Sequence, residues 1–105
     1  MVAQRATSAI LGPMIKSVKH KGLKRFFDSG TTRGIQAAHA DKLELQLDAL
    51  DTAVTIEDMS LPGWRLHALK GQQAGRWSVT VNGNWRMTFE FKDGDAYVLD
   101  YEDYH

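Results

Sequence analysis

The chain ends in a segment whose side chains could carry acid-base chemistry, Asp100-Tyr101-Glu102-Asp103-Tyr104-His105. The imidazole of His105 can exchange protons near neutral pH, and an adjacent carboxylate such as Asp103 favours its protonated form. The ring of Tyr104 can stack on a nucleobase. These are the groups that the cleavage of RNA requires. The alternative interpretation is a solvated chain terminus that frays, as termini often do.

Two basic residues could stabilise developing negative charge. Lys70 ends the segment LHALK, beside a glycine and at the end of a predicted strand, where its amine could reach a phosphate. Arg86 is predicted to have polar or aromatic neighbours on both sides, and its guanidinium is a rigid fork of donors that suits phosphate oxygens. The alternatives are a solvated lysine at a strand end and a surface arginine paired with Glu90 or Asp103.

The histidines do not indicate a metal site. They lie at positions 20, 39, 67 and 105 without close ligand spacing, and the chain contains no cysteine that could complete a site. His39 falls on an apolar stripe, so a buried neutral histidine is the simpler interpretation. His67 could act as a base, although a histidine in an alternating strand is more often a spectator. We therefore expect chemistry that needs neither a metal nor another cofactor.

The composition is that of one small domain. The chain has 105 residues, of which 43% are hydrophobic and 25% charged, so there is room for one modest core. The lack of cysteine excludes disulfides and thiol nucleophiles. Neither a signal-peptide core nor a stretch of roughly 20 apolar residues is present, so we expect a cytoplasmic protein without a membrane segment. We expect residues 1–13, which end at Gly12-Pro13, to form a poorly ordered extension before a domain over 14–105.

The net charge of zero at first argues against a nucleic-acid partner, because proteins that bind phosphates usually carry a basic excess. The charge is nevertheless separated along the chain. Residues 14–49 contain seven Lys or Arg against four Asp or Glu, residues 63–92 contain five against one, and residues 93–105 contain five acids and no base. A basic face beside an acidic end is possible, although solvated surface is the simpler explanation of such blocks.

The first half of the chain has helical periodicity. In residues 21–29, Leu23, Phe26 and Phe27 share one helical face, and Gly30 follows as a stop signal. Thr31 or Thr32 is expected to cap a second helix. The apolar stripe of that helix consists of Ile35, His39, Leu43, Leu47, Leu50 and Val54. This stripe predicts a helix that faces a core.

From Trp64 onward the apolar residues alternate with polar ones, which indicates β-strands. We expect strands over 64–69, 76–81, 85–91 and 96–101, and a first strand with weaker alternation over 14–20. Asp93-Gly94 predicts a two-residue hairpin that pairs Lys92 with Asp95 and Arg86 with Tyr101. At Asn82-Gly83-Asn84 we expect a three-residue loop, because that register gives one apolar face. It pairs Val81 with Trp85, Val79 with Met87 and Trp77 with Phe89.

This register predicts a sheet with two different faces. The apolar face is covered by the helices, and the opposite face presents Arg76, Arg86, Tyr101 and, if the strand continues, Asp103. The expected fold is therefore α+β, with two N-terminal helices packed on one face of a mostly antiparallel sheet of four to five strands.

Several short motifs, taken in order, closely resemble HigB toxins of the RelE/ParE superfamily. They are MIKS at 14–17, LHALKG at 66–71, WSVTV at 77–81, NWRMTF at 84–89 and the ending YEDYH at 101–105. Each motif is weak alone, but the ordered set extends from Met14 to the last residue. Members of this family usually begin at the position of Met14. Ala68 departs from the pattern, since relatives often have proline there, which affects local stiffness more than chemistry.

The resemblance implies a RelE-like fold and the toxin of a type II toxin-antitoxin system, which cleaves ribosome-bound mRNA without a metal and is inhibited by a HigA-type antitoxin. Carried over position by position, the family's catalytic residues fall on Lys70, Arg86, Asp103, Tyr104 and His105. Candidates for contacts with RNA are Arg76, His67 and Tyr101. The implied reaction is a transesterification in which the ribose 2′-hydroxyl attacks the adjacent phosphate. Operator DNA would be bound only through the antitoxin.

Two other functions fit the same fold. ParE-like toxins poison DNA gyrase without nuclease residues, and a toxin can act mainly as co-repressor with its antitoxin; the fold alone does not separate these functions. The tail, with its carboxylates, tyrosine and histidine, favours RNA cleavage. The near-zero net charge favours an enzyme that depends on the ribosome to meet its RNA.

Overall fold

The computed structural model describes residues 14–104. The N-terminal extension expected over residues 1–13 and the side chain of His105 both lie outside the described residues. The elements are helices α1 (Lys21–Ser29) and α2 (Ala40–Thr52) and strands β1 (His67–Ala68), β2 (Arg76–Asn82), β3 (Trp85–Lys92) and β4 (Asp95–Asp103). The four strands form an antiparallel sheet in the order β1-β2-β3-β4. Helices packed with an antiparallel sheet confirm the predicted α+β fold.

Helix α1 has the bounds that the sequence predicted. Leu23 and Phe26 are buried on its inner face. The helix begins where the Nδ1 atom of His20 accepts a hydrogen bond from the backbone N–H of Leu23. It ends at Gly30, whose φ of 81° is left-handed and whose N–H donates to the carbonyl of Phe26. Both ends are therefore capped by local groups.

Helix α2 is shorter than predicted. It follows a 3₁₀ turn at Ala37–His39, and neither element has a side-chain cap at its start, so the predicted cap at Thr31 or Thr32 was wrong. Val54 lies beyond the helix and is 74% exposed. The stripe of apolar residues continues through the turn, which is why spacing alone did not reveal where the α-helix begins. Its central part was correctly predicted, because Leu43, Leu47 and Leu50 are fully buried.

The first two predicted strands are largely irregular. Only His67–Ala68 of the predicted strand 64–69 forms a regular strand paired with β2, although Trp64 and Leu69 also form backbone hydrogen bonds with β2. Arg65 has a φ of 51° and turns the chain between these contacts. Residues 14–20 form isolated parallel bridges to β4, at Ile15 with Ala96 and at Val18 with Leu99. This segment therefore protects the edge of β4 without becoming a regular strand.

The hairpin between β2 and β3 differs from the prediction at its tip. Val79 pairs with Met87 and Trp77 with Phe89, as predicted, but Asn82 pairs with Trp85 and the register shifts between Thr80 and Asn82. The loop is therefore two residues long, and the predicted pairing of Val81 with Trp85 was wrong. A bulge on β2 keeps Val81 buried while the loop is shortened.

The hairpin between β3 and β4 contains a second irregularity, with larger consequences. Lys92 pairs with Asp95 as predicted, but the register shifts between Thr88 and Glu90. On β4 the shift falls at Val98, whose φ of 53° is unusual for a β-branched residue. A bulge of one residue moves every later side chain to the opposite face of the strand.

The predicted orientation of the tail was therefore wrong. Arg86 pairs with Glu102, whereas Tyr101 pairs with Met87 and Asp103 pairs with Trp85. Because paired residues share a face, Tyr101 and Asp103 belong to the helix side of the sheet. Glu102 belongs to the side of Arg86.

Tyr101 is anchored in the core. It is 4% exposed, and its hydroxyl lies 2.6 Å from Nδ1 of His39. Its ring packs against Trp85 and, edge to face, against His20, with centroid distances of 4.5 and 5.2 Å. Burial raises the pKa of Tyr101 above its ordinary value. His39 is itself buried, as its place on the apolar stripe predicted.

A close approach of two glycines fixes α1 against the loop that precedes α2. A Cβ atom at Gly22 would meet the backbone carbonyl of Gly34 well inside van der Waals contact. We expect Gly22→Ala to lower the free energy of unfolding by about 1–3 kcal/mol, because neither backbone can yield without moving a helix. Urea denaturation measures the change. Arg25→Ala, at an exposed site in the same helix, is the control, and equal stability of the two variants would contradict this packing constraint.

The hydrogen bond between Tyr101 and His39 gives a second prediction. Tyr101→Phe keeps the packed ring and removes the hydroxyl, so Nδ1 of the buried His39 loses its partner. We expect a loss of about 1–3 kcal/mol in urea denaturation. Tyr97→Phe removes a hydroxyl from the same strand at a partly exposed position and should change stability by less than about 0.5 kcal/mol. A Tyr101→Phe protein as stable as the wild type would show that this bond contributes nothing.

Candidate active site

The sheet face opposite the helices carries rows of polar residues that cross the strands. One row consists of His67, Ser78, Thr88 and Asp100, and the next consists of Thr80, Arg86 and Glu102. Each row takes one residue from each strand it crosses, so four separate segments of sequence contribute to this surface. Thr88 and Ser78 are buried, whereas Arg86 and Glu102 are partly exposed.

Arg76 lies at the base of this surface and is held by its neighbours. Its Nη2 donates to the carbonyl of Val98 at 2.8 Å and to Oγ1 of Thr88 at 3.0 Å. Its Nη1 lies 3.7 Å from a carboxylate oxygen of Glu90, and the side chain is only 13% exposed. The guanidinium therefore stabilises the bulge at Val98 and orients Thr88. It contributes to the site from beneath the surface.

The oriented hydroxyl of Thr88 in turn fixes the carboxylate of Glu102. Because Arg76 donates to the Thr88 oxygen, the hydroxyl hydrogen is directed elsewhere. It is donated to Oε2 of Glu102 at 2.7 Å. A chain of hydrogen bonds thus runs from β2 through β3 to β4 and fixes the carboxylate of Glu102 on the polar face.

Arg86 and Tyr104 are both tied to the loop between β2 and β3. Nη1 of Arg86 donates to the carbonyls of Gly83 and Trp85 at 2.7 and 3.2 Å. The backbone N–H of Tyr104 donates to the carbonyl of Asn84 at 2.8 Å. The Arg86 guanidinium carbon lies 6.0 Å from the centre of the Tyr104 ring. One short loop therefore brings a cation and an aromatic ring together.

The surroundings of Tyr104 raise the pKa of its hydroxyl above 10.0. Burial is the largest cause, and the negative charge of Glu102 acts in the same direction, while Arg76 and Arg86 oppose it. The hydroxyl therefore stays protonated at neutral pH. Tyr104 can donate a hydrogen bond or stack on a base, but it is poorly suited to accept a proton.

A concave pocket of about 170 Å³ lies beside these residues. Its lining consists of Lys19, Gln73, Arg76, Val98, Asp100 and Glu102. Lys19 approaches Asp100 at 3.9 Å, and both cations of the lining have carboxylates near them. The pocket therefore presents acceptor oxygens together with donors, a mixture suited to a polar ligand.

Lys70 and His67 lie at the β1 side of the site. Lys70 is exposed and directly precedes the 3₁₀ turn Gly71–Gln73, and Gln73 lines the pocket. His67 is exposed, and its Nδ1 lies 3.0 Å from the carbonyl of Arg65. Both side chains are therefore exposed to solvent beside the β1 edge of the sheet.

The structure brings some of the predicted site residues together and separates others. Arg76, Arg86 and Tyr104 are brought together, and His67 shares their face. Tyr101 and Asp103 belong to the other face by strand register, although the Asp103 side chain is exposed. Glu102 and Thr88 were missed. A signal was present, because the adjacent apolar pair Val98-Leu99 interrupts the alternation of the strand and marks a bulge.

Among residues 14–104, no cluster of three or more histidine and acidic side chains is arranged to hold a metal ion. Within the same range, no helix is long and apolar enough to cross a membrane.

Comparisons with known proteins assign the family. Residues 16–105 match the family model of HigB-like toxins, described as the RelE-like toxin of type II toxin-antitoxin system HigB. The chain is 52% identical over 92 residues to a Proteus vulgaris protein named Endoribonuclease HigB, covering 88% of this chain and all of that protein. It is 33% identical over 85 residues to Toxin HigB-1 of Vibrio cholerae serotype O1, covering 79% and 90% of the two chains. The chain therefore belongs to the HigB-like toxins, the RelE-like toxins of type II toxin-antitoxin systems.

Proposed function

We propose that this toxin is an endoribonuclease that cleaves mRNA on the ribosome by metal-independent transesterification and so inhibits translation. The observation that carries the proposal is the polar sheet face on which the loop between β2 and β3 holds Arg86 beside Tyr104. The name of the Proteus vulgaris relative, Endoribonuclease HigB, supports the same activity at 52% identity.

In the proposed reaction the ribose 2′-oxygen attacks the adjacent phosphorus, and the bond from phosphorus to the 5′-oxygen breaks. The products are a 2′,3′-cyclic phosphate and a 5′-hydroxyl. Arg86 and Lys70 stabilise the charge on the phosphate oxygens in the transition state. Arg86 can exchange its bonds to backbone carbonyls for bonds to phosphate, because a charged acceptor forms stronger hydrogen bonds with the guanidinium.

The remaining residues have supporting roles in this proposal. Tyr104 positions the nucleotide by stacking or by donating a hydrogen bond, as its protonated hydroxyl allows. His105 and Asp103 are proposed for proton transfer. His67 contacts the RNA at the exposed edge of the site, whereas Arg76 and Tyr101 act from below it, one by holding Thr88 and the other by anchoring β4.

The charge of the protein supports dependence on the ribosome. The net charge is zero, and Glu102 lies opposite Arg86, so free RNA would gain little from this surface. Exposed lysines on the segment before α1 and in α1, Lys16, Lys19, Lys21 and Lys24, provide a basic region that could contact ribosomal RNA. We further propose that the protein acts in the cytoplasm, that a HigA-type antitoxin inhibits it, and that operator DNA is reached only through this antitoxin.

Mapping of RNA 5′ ends after brief expression of the toxin tests the proposal as a whole. We expect new 5′-hydroxyl ends within translated regions, because cleavage takes place on ribosome-bound message. Inhibition of translation initiation before induction should remove them. His105→Gln, verified to be folded, should produce far fewer ends. Ends that persist without translation would contradict ribosome dependence, and toxicity without new ends would contradict the nuclease proposal.

Arg86 provides a test of the site itself. We expect Arg86→Ala to lower the cleavage rate on programmed ribosomes by about 100-fold or more, because a donor that stabilises transition-state charge is lost. Lys92→Ala is the matched control, since Lys92 lies on the same strand and on the same face but pairs with Asp95 at the far end of the hairpin. Equal activity of the two variants would exclude Arg86 from the reaction.

A further inference from the structure

Glu102 has a position that none of the roles above explains. It lies on β4 directly opposite Arg86, and it lines the pocket beside the site. Tyr104 follows two residues later on the same side of the strand and is close enough for the charge of Glu102 to raise the pKa of its hydroxyl. A partly exposed carboxylate therefore lies beside both Arg86 and Tyr104.

We propose that Glu102 is a further catalytic residue, whose carboxylate accepts the proton of the attacking ribose 2′-hydroxyl. This inference rests on the proposed nuclease function and adds the proton acceptor to it.

The register of β4 separates Glu102 from its neighbouring carboxylate. Asp103 pairs with Trp85, so its Cα–Cβ bond is directed to the helix side of the sheet, whereas Glu102 is directed to the side of Arg86. A base must lie on the side of the sheet where the phosphate is bound. Of these two adjacent carboxylates, Glu102 meets that condition.

The carboxylate is also oriented in advance. Thr88 is fully buried and donates to Oε2 of Glu102, and Arg76 fixes the Thr88 hydroxyl in that direction. Because Oε2 is engaged on the protein side, Oε1 is the oxygen left to face the pocket and accept a proton. Pre-positioning of this kind lowers the entropic cost of proton transfer.

The step is balanced. The 2′-O–H bond breaks and its proton passes to Oε1 of Glu102, while the 2′-oxygen forms a bond to phosphorus. The bond from phosphorus to the 5′-oxygen breaks, and the leaving oxygen takes a proton from His105, one of the proton-transfer groups of the proposed function. Glu102 then returns its proton to solvent or to the depleted acid, so no oxidant, reductant or metal is consumed.

Charged groups from four segments of the chain surround Glu102. They are Arg76 on β2, Arg86 on β3, Asp100 and Tyr104 on β4 and the tail, and Lys19 from the segment before α1. A carboxyl group that already carries a proton cannot accept another from the 2′-hydroxyl, so a base of this kind predicts a cleavage rate that falls toward acid pH.

The decisive variant is Glu102→Gln, whose amide oxygen can still accept the hydrogen bond from Thr88 but cannot act as the base. We expect cleavage of mRNA on programmed ribosomes to slow by about 100-fold or more, with the unfolding midpoint near that of the wild type. Glu90→Gln removes a carboxylate from the same face, next to Arg76, and should cleave within about twofold of the wild type.

The pH profile provides a second measurement. The cleavage rate of the wild type should fall toward acid pH. The residual cleavage rate of Glu102→Gln should not show this fall. If Glu102→Gln does not fold, Glu102→Asp takes its place. This variant should cleave more slowly than the wild type, and its rate should still fall toward acid pH. A folded Glu102→Gln protein with the wild-type rate and profile would overturn this inference and leave the nuclease function standing. A wild type that cleaves nothing would overturn both.

Discussion

A bulge of one residue on β4 decides which side chains form the site and which form the core. At Val98 the backbone takes a φ of 53°, a conformation that a β-branched residue adopts only when its surroundings hold it there. Ser17 accepts a hydrogen bond from the Val98 N–H, and Arg76 donates to its carbonyl. Both groups lie outside β4, so the strand alone does not specify its own register.

Because of the bulge, the later residues of β4 contribute both to the core and to the polar face of the sheet. Beyond Val98, Leu99 and Tyr101 face the helices, and Asp100 and Glu102 face the polar side. The hydrogen bond between Tyr101 and His39 fixes this part of the strand in the core. Because Glu102 directly follows Tyr101 on the strand, anchoring Tyr101 in the core also positions Glu102 on the opposite face. Catalytic groups on regular elements are held more precisely than groups on loops.

Arg76 connects the bulge at Val98 to the carboxylate of Glu102. Its guanidinium bonds the Val98 carbonyl and the Thr88 hydroxyl, and Thr88 in turn bonds Glu102. Arg86 differs from Arg76, because it is partly exposed and its Nη1 donates to the backbone carbonyls of Gly83 and Trp85. The two arginines on this face of the sheet thus have different surroundings. Arg76 orients the carboxylate of Glu102 through Thr88, and Arg86 is the one that we propose meets a phosphate.

The sequence by itself determined the α+β class, the bounds of α1, the buried stripe of α2 and the existence of the two hairpins, because helical spacing, alternation and turn residues are local properties. It also indicated Arg86 and Tyr104, and the ordered motifs from Met14 to the chain end indicated the family. The tertiary structure decided the start of α2, the length of β1 and the faces of Tyr101, Glu102 and Asp103. These features depend on contacts between distant segments. Gly34 packs against Gly22, and both Arg76 and Ser17 form hydrogen bonds with the backbone of Val98. A shift of one residue in a strand costs little locally but exchanges its two faces, and only packing against the rest of the chain determines which face carries the chemistry.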